Sequence, residues 1–144
     1  MSEKHIEPVH ISCHYDIAPE IIFDAWTDPE MIRKWLFKND ASEITKVESD
    51  LKKEGSFSIL ESDRNTGETI DHYGSYKEIE RPYRLVFTLN VPKQFTGETL
   101  VTVHLFPTLN GCELKLTQEG IPKEITEKSW IDMLHDLKHQ LESK

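Results

Sequence analysis

The stretch from residue 19 to residue 37 is PEIIFDAWTDPEMIRKWLF, in which large apolar side chains flank a central Thr-Asp-Pro-Glu sequence. Pro19 suits the first turn of a helix, and the apolar residues after it recur at helical spacing. Thr27 or Asp28 can then cap a second helix that has Pro29 at its first position. The stretch therefore predicts two short helices that meet at a corner. Its tryptophan and phenylalanine rings are more apolar bulk than such a pair needs, so we expect them to cover another part of the protein.

The residues on either side of this stretch predict β-strands. From residue 9 to residue 17 apolar and polar residues alternate strictly, which is typical of a strand with one face in water. Between about residues 43 and 119, further alternating segments are separated by turn sequences, and one face of each segment is apolar. Asn110-Gly111 is the strongest hairpin signal, because this pair readily adopts the positive φ angles of a type I′ turn. The pattern predicts about six more antiparallel strands.

The last segment, from residue 126 to about residue 142, predicts a long amphipathic helix. At about 100° per residue its apolar side chains fall within one stripe, which can cover the apolar face of the sheet. A strand, a helix pair, an antiparallel sheet and a long helix make an α+β pattern. A curved sheet that grips such a helix is expected to leave a cavity beside it. The stripe consists of Trp130, Met133, Leu134, Leu137 and Leu141.

Composition narrows the class of protein. The chain has 144 residues, which suits a single domain over residues 1–144 with a core from about 8 to 142. Its net charge of −9 and its scattered basic residues argue against nucleic-acid and membrane partners. No apolar run is long enough for a signal peptide or a membrane span, so we expect a soluble, cytoplasmic protein. Cys13 and Cys112 lie far apart and predict two buried, reduced thiols.

Several ordered pieces of the sequence carry a resemblance to a known family. The chain resembles the START-like (SRPBCC) superfamily, and within it the family named after the activator of the heat-shock protein 90 ATPase. The match covers nearly the whole chain, in order. The pieces are IAPE (17–20), FDAWTDPE (23–30), KW (34–35), GSYKEI (74–79), RLVFT (84–88), VTV (101–103), GCELKLT (111–117) followed by Gly120, and Trp130 ahead of Leu134, Leu137 and Leu141.

This resemblance implies a helix-grip fold. In that fold a curved seven-stranded antiparallel sheet wraps around the long C-terminal helix, and the two short helices after the first strand close one end. The resemblance also implies an answer for the rings of the first stretch. Trp35 and Phe37 would lie at the mouth of a cavity between sheet and helix, while Ile22, Trp26 and Ile32 would hold the helix pair on the sheet.

The same resemblance, together with the strand pattern, yields a set of candidate ligand-binding residues. Polar groups inside an apolar cavity usually orient a ligand, although each could instead be satisfied by backbone or ordered water. We expect three such groups on inward strand faces, namely His72, Tyr76 and Gln118. The cavity walls are expected to come from Trp35, Phe57, Phe87, Leu89, Trp130, Met133 and Leu134.

The helix predicted at the end of the chain offers one candidate metal site. His135 and His139 are four residues apart and follow Asp132, a spacing that can bind zinc. These residues lie opposite the apolar stripe, on the solvent side of the helix, and no fourth ligand is evident. The sequence also contains neither a catalytic triad nor a glycine-rich phosphate loop. We therefore expect no metal, no cofactor and no catalytic residue.

The leading functional hypothesis is a soluble domain that encloses a small hydrophobic or aromatic molecule between the sheet and the C-terminal helix. The physiological ligand is left open. One alternative is a cyclase- or hydrolase-like enzyme that uses the same cavity, with His72 or Tyr76 moving a proton. Another is a chaperone-associated interaction protein, as the family name suggests. Either a monomer or a weak dimer paired through an edge strand is compatible with the pattern.

Overall fold

The computed structural model describes residues 7–142. Within them, seven strands form one antiparallel sheet in the order β1-β7-β6-β5-β4-β3-β2, so that β1 and β2 are its edges. Two short helices follow the first strand and one long helix ends the described chain, which confirms the α+β helix-grip prediction. The elements are β1 (Val9–Tyr15), α1 (Pro19–Thr27), α2 (Pro29–Trp35), β2 (Ser42–Ser49), β3 (Ser56–Asp63), β4 (Thr69–Glu80), β5 (Arg84–Val91), β6 (Phe95–Thr108), β7 (Gly111–Glu119) and α3 (Lys123–Glu142).

The corner between α1 and α2 forms where the sequence predicts it. Asp28 has an extended backbone, as expected for a residue before proline, and this ends α1. Its side chain accepts a hydrogen bond from the backbone N–H of Glu30 at 3.0 Å, so Asp28 is the N-cap of α2. The hydroxyl of Thr27 instead donates to the carbonyl of Phe23. Of the two candidate caps, only Asp28 therefore serves the second helix.

The inner face of the sheet and one face of α3 share a hydrophobic core. The apolar residues predicted on the inward faces of β5, β6 and β7 are all buried. On α3, Trp130 and Leu134 are each 1% exposed, and Leu137 is fully buried. The helix begins three residues before the predicted start, at Lys123. The hydroxyl of Tyr15 on β1 donates to the carbonyl of Leu134 at 3.0 Å, which ties the edge strand to the helix.

The hairpin between β6 and β7 differs from the predicted type I′ turn. Thr108 pairs with Gly111, so Leu109 and Asn110 make the connection, and neither of them has a positive φ. The prediction that Asn110-Gly111 forms the turn was wrong, because Gly111 is already part of β7. A Cβ atom at this position would clash with the backbone carbonyl of Tyr15. The glycine thus permits close approach of the backbone near the end of β1 rather than a left-handed turn.

Candidate functional site

A cleft with a volume of about 830 Å³ lies between α3 and the inner face of the sheet. Strands β3, β4, β5 and β7 supply one wall, α3 supplies the other, and the segment after α2 contributes at one end. Its size falls within the range of small-molecule sites in proteins. The apolar side chains that line it are Phe37, Ile70, Leu89, Val91, Trp130 and Met133.

The ten predicted ligand-binding residues divide into three groups. The lining of the cleft includes His72, Leu89, Gln118, Trp130 and Met133. A second void has a volume of only about 10 Å³, room for at most one water molecule, and its lining includes Phe57, Tyr76 and Phe87. Neither space is lined by Trp35 or Leu134, which are buried in the core.

Trp35 lies inside the helix corner rather than at the mouth of the cleft. Its side chain is fully buried, and its indole Nε1 donates to the carbonyl of Ala25 on α1 at 2.9 Å. Its ring meets that of Trp26 edge to face, with 4.8 Å between centroids. The two tryptophans therefore hold the helix pair together and on the sheet. Of the large aromatic residues between positions 19 and 37, Phe37 is the one that lines the cleft.

Phe37 has a strained backbone at one end of the cleft. Its φ is +61°, in the left-handed region that costs a non-glycine residue about 1–2 kcal/mol. Its N–H donates to the sulfur of Met133 at 3.0 Å. Its ring stacks on the imidazole of His72 with 4.3 Å between centroids and 3° between planes, and its centroid lies 5.7 Å from that of Trp130. Strain held in place by such contacts is a common feature of functional sites.

His72 and Glu61 form a nearly buried pair on neighbouring strands. The imidazole Nε2 lies 3.0 Å from Oε1 of Glu61, and the two side chains are only 9% and 12% exposed. Burial acts to raise the pKa of Glu61, but hydrogen bonds from His72 and Ser42 outweigh it, so the net pKa lies below the usual value. Glu61 is therefore ionised near neutral pH and can only accept hydrogen bonds. The other imidazole nitrogen, Nδ1, is buried and has no hydrogen-bond partner in the described structure.

Gln118 lines the cleft, but its amide is engaged within the protein. Its oxygen accepts hydrogen bonds from the indole Nε1 of Trp130 at 2.8 Å and from the hydroxyl of Thr126 at 2.7 Å. Its nitrogen donates to the hydroxyl of Thr99 at 3.0 Å. Because an indole N–H can only donate, the amide orientation is fixed. Gln118 thus joins β7 to α3.

Tyr76 belongs to an aromatic cluster beneath the helix corner. Its ring centroid is 5.3 Å from that of Phe57, which in turn lies edge to face with Phe87 at 5.5 Å. Burial raises the pKa of Tyr76 to about 12, although a hydrogen bond with Ser49 acts in the opposite direction. Among the three predicted orienting residues, His72 is the one that combines a place in the cleft wall with an unpartnered polar atom.

Carboxylates dominate the charge around the cleft. Lys128 forms an ion pair with Asp132 at 2.8 Å, and Asp136 accepts a hydrogen bond from Gln140. His135 also lines the rim and is exposed. The carboxylate-bearing lining residues are Asp40, Glu61, Asp132 and Asp136, against the single lysine Lys38 among the lining residues described.

The histidines and the aspartate with zinc-ligand spacing are spread along the exposed side of α3. Asp132, His135 and His139 are all exposed, and residues 7–142 contain no group of three or more histidine, cysteine or acidic side chains arranged to hold a metal ion. Cys112 is buried, and burial raises the pKa of its thiol to about 11, whereas Cys13 is partly exposed. No helix in the described range has the length and apolar character needed to cross a membrane.

The cleft-lining residues that the sequence pattern does not predict are mainly polar. They include Glu61 and the other three carboxylate-bearing residues of the lining, Asp40, Asp132 and Asp136. Glu61 and His72 meet because β3 pairs with β4 in a register that sets Ile59 opposite His72. Sequence alternation predicts which face a side chain occupies, but it does not predict this register.

Comparison with known proteins identifies the fold and the family. Among curated proteins no sequence matches the chain. Protein CV1439 from Chromobacterium violaceum is 25% identical, with a TM-score of 0.83 over 94% of this chain and 97% of that chain. An AHSA1-like protein from Aeromonas hydrophila is 21% identical, with a TM-score of 0.83 over 95% and 93% of the two chains. CalU16 from Micromonospora echinospora is 20% identical, with a TM-score of 0.72 over 94% and 74%.

The last two likenesses show the fold alone, because their identities are low. A family model adds the relationship in sequence: the model described as Activator of Hsp90 ATPase homolog 1-like protein matches residues 16–142. The resemblance inferred from the ordered sequence pieces is thereby confirmed, and with it the START-like fold. The chain belongs to the Activator of Hsp90 ATPase homolog 1-like protein family.

Proposed function

We propose that this protein is a soluble, cytoplasmic binding domain that holds a small hydrophobic or aromatic molecule in the cleft between the sheet and α3. The observation that carries the proposal is the cleft itself, about 830 Å³ in volume and lined by aromatic, aliphatic and polar side chains together. Burial of about 200 Å² of an aromatic ligand would contribute about 5 kcal/mol before the cost of association. A contribution of this size is typical of reversible binding, as in a carrier or sensor of an aromatic compound.

Binding can be tested by a two-dimensional amide NMR titration of the labelled protein. The panel would contain lipids, flavonoid-like aromatics and polyketide-like rings. We expect shifts to cluster at residues of the cleft wall, such as Phe37, Leu89 and Met133. Shifts confined to the outer surface, or an unchanged spectrum, would refute the proposal.

A matched pair of variants distinguishes the cleft from other surfaces. Ser129 lines the cleft from α3 and is exposed, so Ser129→Trp should fill the space without removing a core contact. Ile131 is 38% exposed on the same helix and lies outside the cleft lining, so Ile131→Trp adds the same ring elsewhere. We expect the first variant to abolish binding and the second to retain it. Equal binding by both would place the ligand elsewhere.

The His72–Glu61 pair favours one second candidate, an enzyme that acts on a molecule in the same cleft. A histidine oriented by a carboxylate is a common arrangement for general-base catalysis, and the two groups lie 3.0 Å apart beside the cleft. Turnover separates this candidate from simple binding. Recovery of every bound compound chemically unchanged, from the wild type and from His72→Ala alike, would count against catalysis.

A further inference from the structure

The unpartnered nitrogen of His72 limits the chemistry of a ligand in the cleft. His72 is 7% exposed, and its Nδ1 is one of two buried side-chain polar atoms in the described structure that have no hydrogen-bond partner. A buried polar atom left in this state carries an uncompensated desolvation cost. A ligand that supplies the missing partner recovers that cost on binding, in addition to the burial of its apolar surface.

The partner on the other side of the ring determines what Nδ1 can do. Glu61 is a carboxylate whose pKa is lowered, so it accepts a hydrogen bond from Nε2 and gives none. In neutral imidazole one nitrogen carries the proton and the other is an acceptor. With the proton on Nε2, facing Glu61 at 3.0 Å, Nδ1 is an acceptor. A neutral His72 therefore requires a donor from the ligand at Nδ1.

The charges around the cleft limit the ligand further. Four carboxylate-bearing residues line the cleft against one lysine, and one of the four, Glu61, is beside His72 itself. A negatively charged ligand would meet net repulsion there, because Lys38 is the single lysine among the described lining residues. A neutral or cationic ligand meets no such penalty.

We propose that the cleft selects an aromatic molecule that carries a neutral hydroxyl or N–H donor and no negative charge, and that Nδ1 of His72 accepts the hydrogen bond from this donor. The proposal deepens the binding function proposed above and rests on it. Because Nδ1 is buried in the free protein, we expect a neighbouring side chain to move as the ligand enters. Phe37, stacked on the imidazole with a strained backbone, is the side chain that we expect to move.

Four probes on one ring system test the proposal. Naphthalene reports binding to the cleft alone, 2-naphthol adds a donor, 2-methoxynaphthalene keeps the oxygen without the donor, and 2-naphthoate adds a negative charge. Dissociation constants would be measured by NMR titration near neutral pH. We expect 2-naphthol to bind about three- to tenfold more tightly than 2-methoxynaphthalene, the range for one net hydrogen bond. We expect 2-naphthoate to bind more weakly than 2-naphthol.

A double variant provides the control. His72→Phe together with Glu61→Met replaces both polar partners by apolar groups, which avoids an unpaired buried charge. We expect it to bind naphthalene and to lose the preference for 2-naphthol over 2-methoxynaphthalene. In the wild type, ¹⁵N chemical shifts of the imidazole should show an unprotonated Nδ1 and a protonated Nε2.

The outcomes separate the two proposals. If naphthalene and both neutral derivatives bind equally, the proposed binding function stands and the donor inference is overturned. A preference for 2-naphthol that persists in the double variant, or a protonated Nδ1, would also overturn it. If none of the four probes reaches the cleft, the binding function fails and the inference falls with it.

Discussion

The substitution Gln118→Met tests how the C-terminal helix is held against the sheet. Gln118 is 1% exposed, and its amide oxygen accepts hydrogen bonds from Trp130 and Thr126, both on α3. Methionine has a similar length but offers no comparable acceptor. The substitution therefore removes two hydrogen bonds between β7 and α3 while largely preserving the packing volume.

The expected loss of stability follows from the groups left behind. Each buried donor without a partner costs about 1–3 kcal/mol, so Trp130 and Thr126 together set a range of about 2–6 kcal/mol. The hydroxyl of Thr126 lies in the first turns of α3 and can rotate toward another acceptor, which places the expected value near 3 kcal/mol. For a chain of 144 residues the total free energy of unfolding is about 7–20 kcal/mol. The variant should thus fold, with a clearly lowered stability.

Urea unfolding followed by far-ultraviolet circular dichroism measures this loss. Thr126→Val removes one donor alone and should cost about 1 kcal/mol. The double variant Gln118→Met/Thr126→Val should lose less than the two single losses added, because it leaves one unpaired donor fewer. A loss below about 1 kcal/mol for Gln118→Met would refute the conclusion that this amide holds α3 against the sheet. So would a loss for the double variant that equals the sum of the two single losses.

Three further predictions concern charge and backbone geometry. The pKa of Glu61 is lowered, so the carboxylate stabilises the fold above pH 4.5, its usual pKa, and this stabilisation is lost as the pH falls below that value. The difference in free energy of unfolding between wild type and Glu61→Gln, measured by urea titration, should therefore shrink in acid. A difference that stays constant with pH would contradict this. Glu54 has a φ of +68°, so Glu54→Gly should raise the free energy of unfolding by about 0.5 kcal/mol, whereas Glu54→Ala, which keeps the strain, should not. Gly111→Ala should cost about 2 kcal/mol or more, because its Cβ meets a backbone carbonyl. Gly67→Ala, with φ +76° and open space around it, should cost only about 1 kcal/mol by thermal or urea unfolding, and equal losses would refute the steric argument.

Much of the fold follows from local patterns in the chain. Alternation from residue 9 to residue 17 predicts β1, the apolar stripe around Trp130 predicts α3, and Asp28 before Pro29 predicts the helix corner. Each pattern reflects a repeat of backbone geometry, two residues in a strand and 3.6 in a helix, so a single sequence contains it. The hairpin between β6 and β7 was predicted correctly, but its turn type was not, because Gly111 is required by a close contact with β1, which lies almost a hundred residues earlier.

In the candidate site, local patterns predict the face that a side chain occupies but not its hydrogen-bond partners. The two-residue alternation of the strands predicts that His72 and Gln118 lie on the inner face of the sheet, and both are buried there. Their different chemistry depends on partners that are distant in sequence: Gln118 meets α3, whereas His72 meets Glu61 through the β3–β4 register. Likewise Trp35 and Phe37 have similar apolar character, yet the end of α2 buries the first and a left-handed backbone turns the second into the cleft. The sequence by itself determined the elements and their apolar faces, because these depend on local repeats. Only the tertiary structure decided which buried polar atoms are paired and which lack a partner, because hydrogen bonding depends on distances between elements that no local repeat encodes.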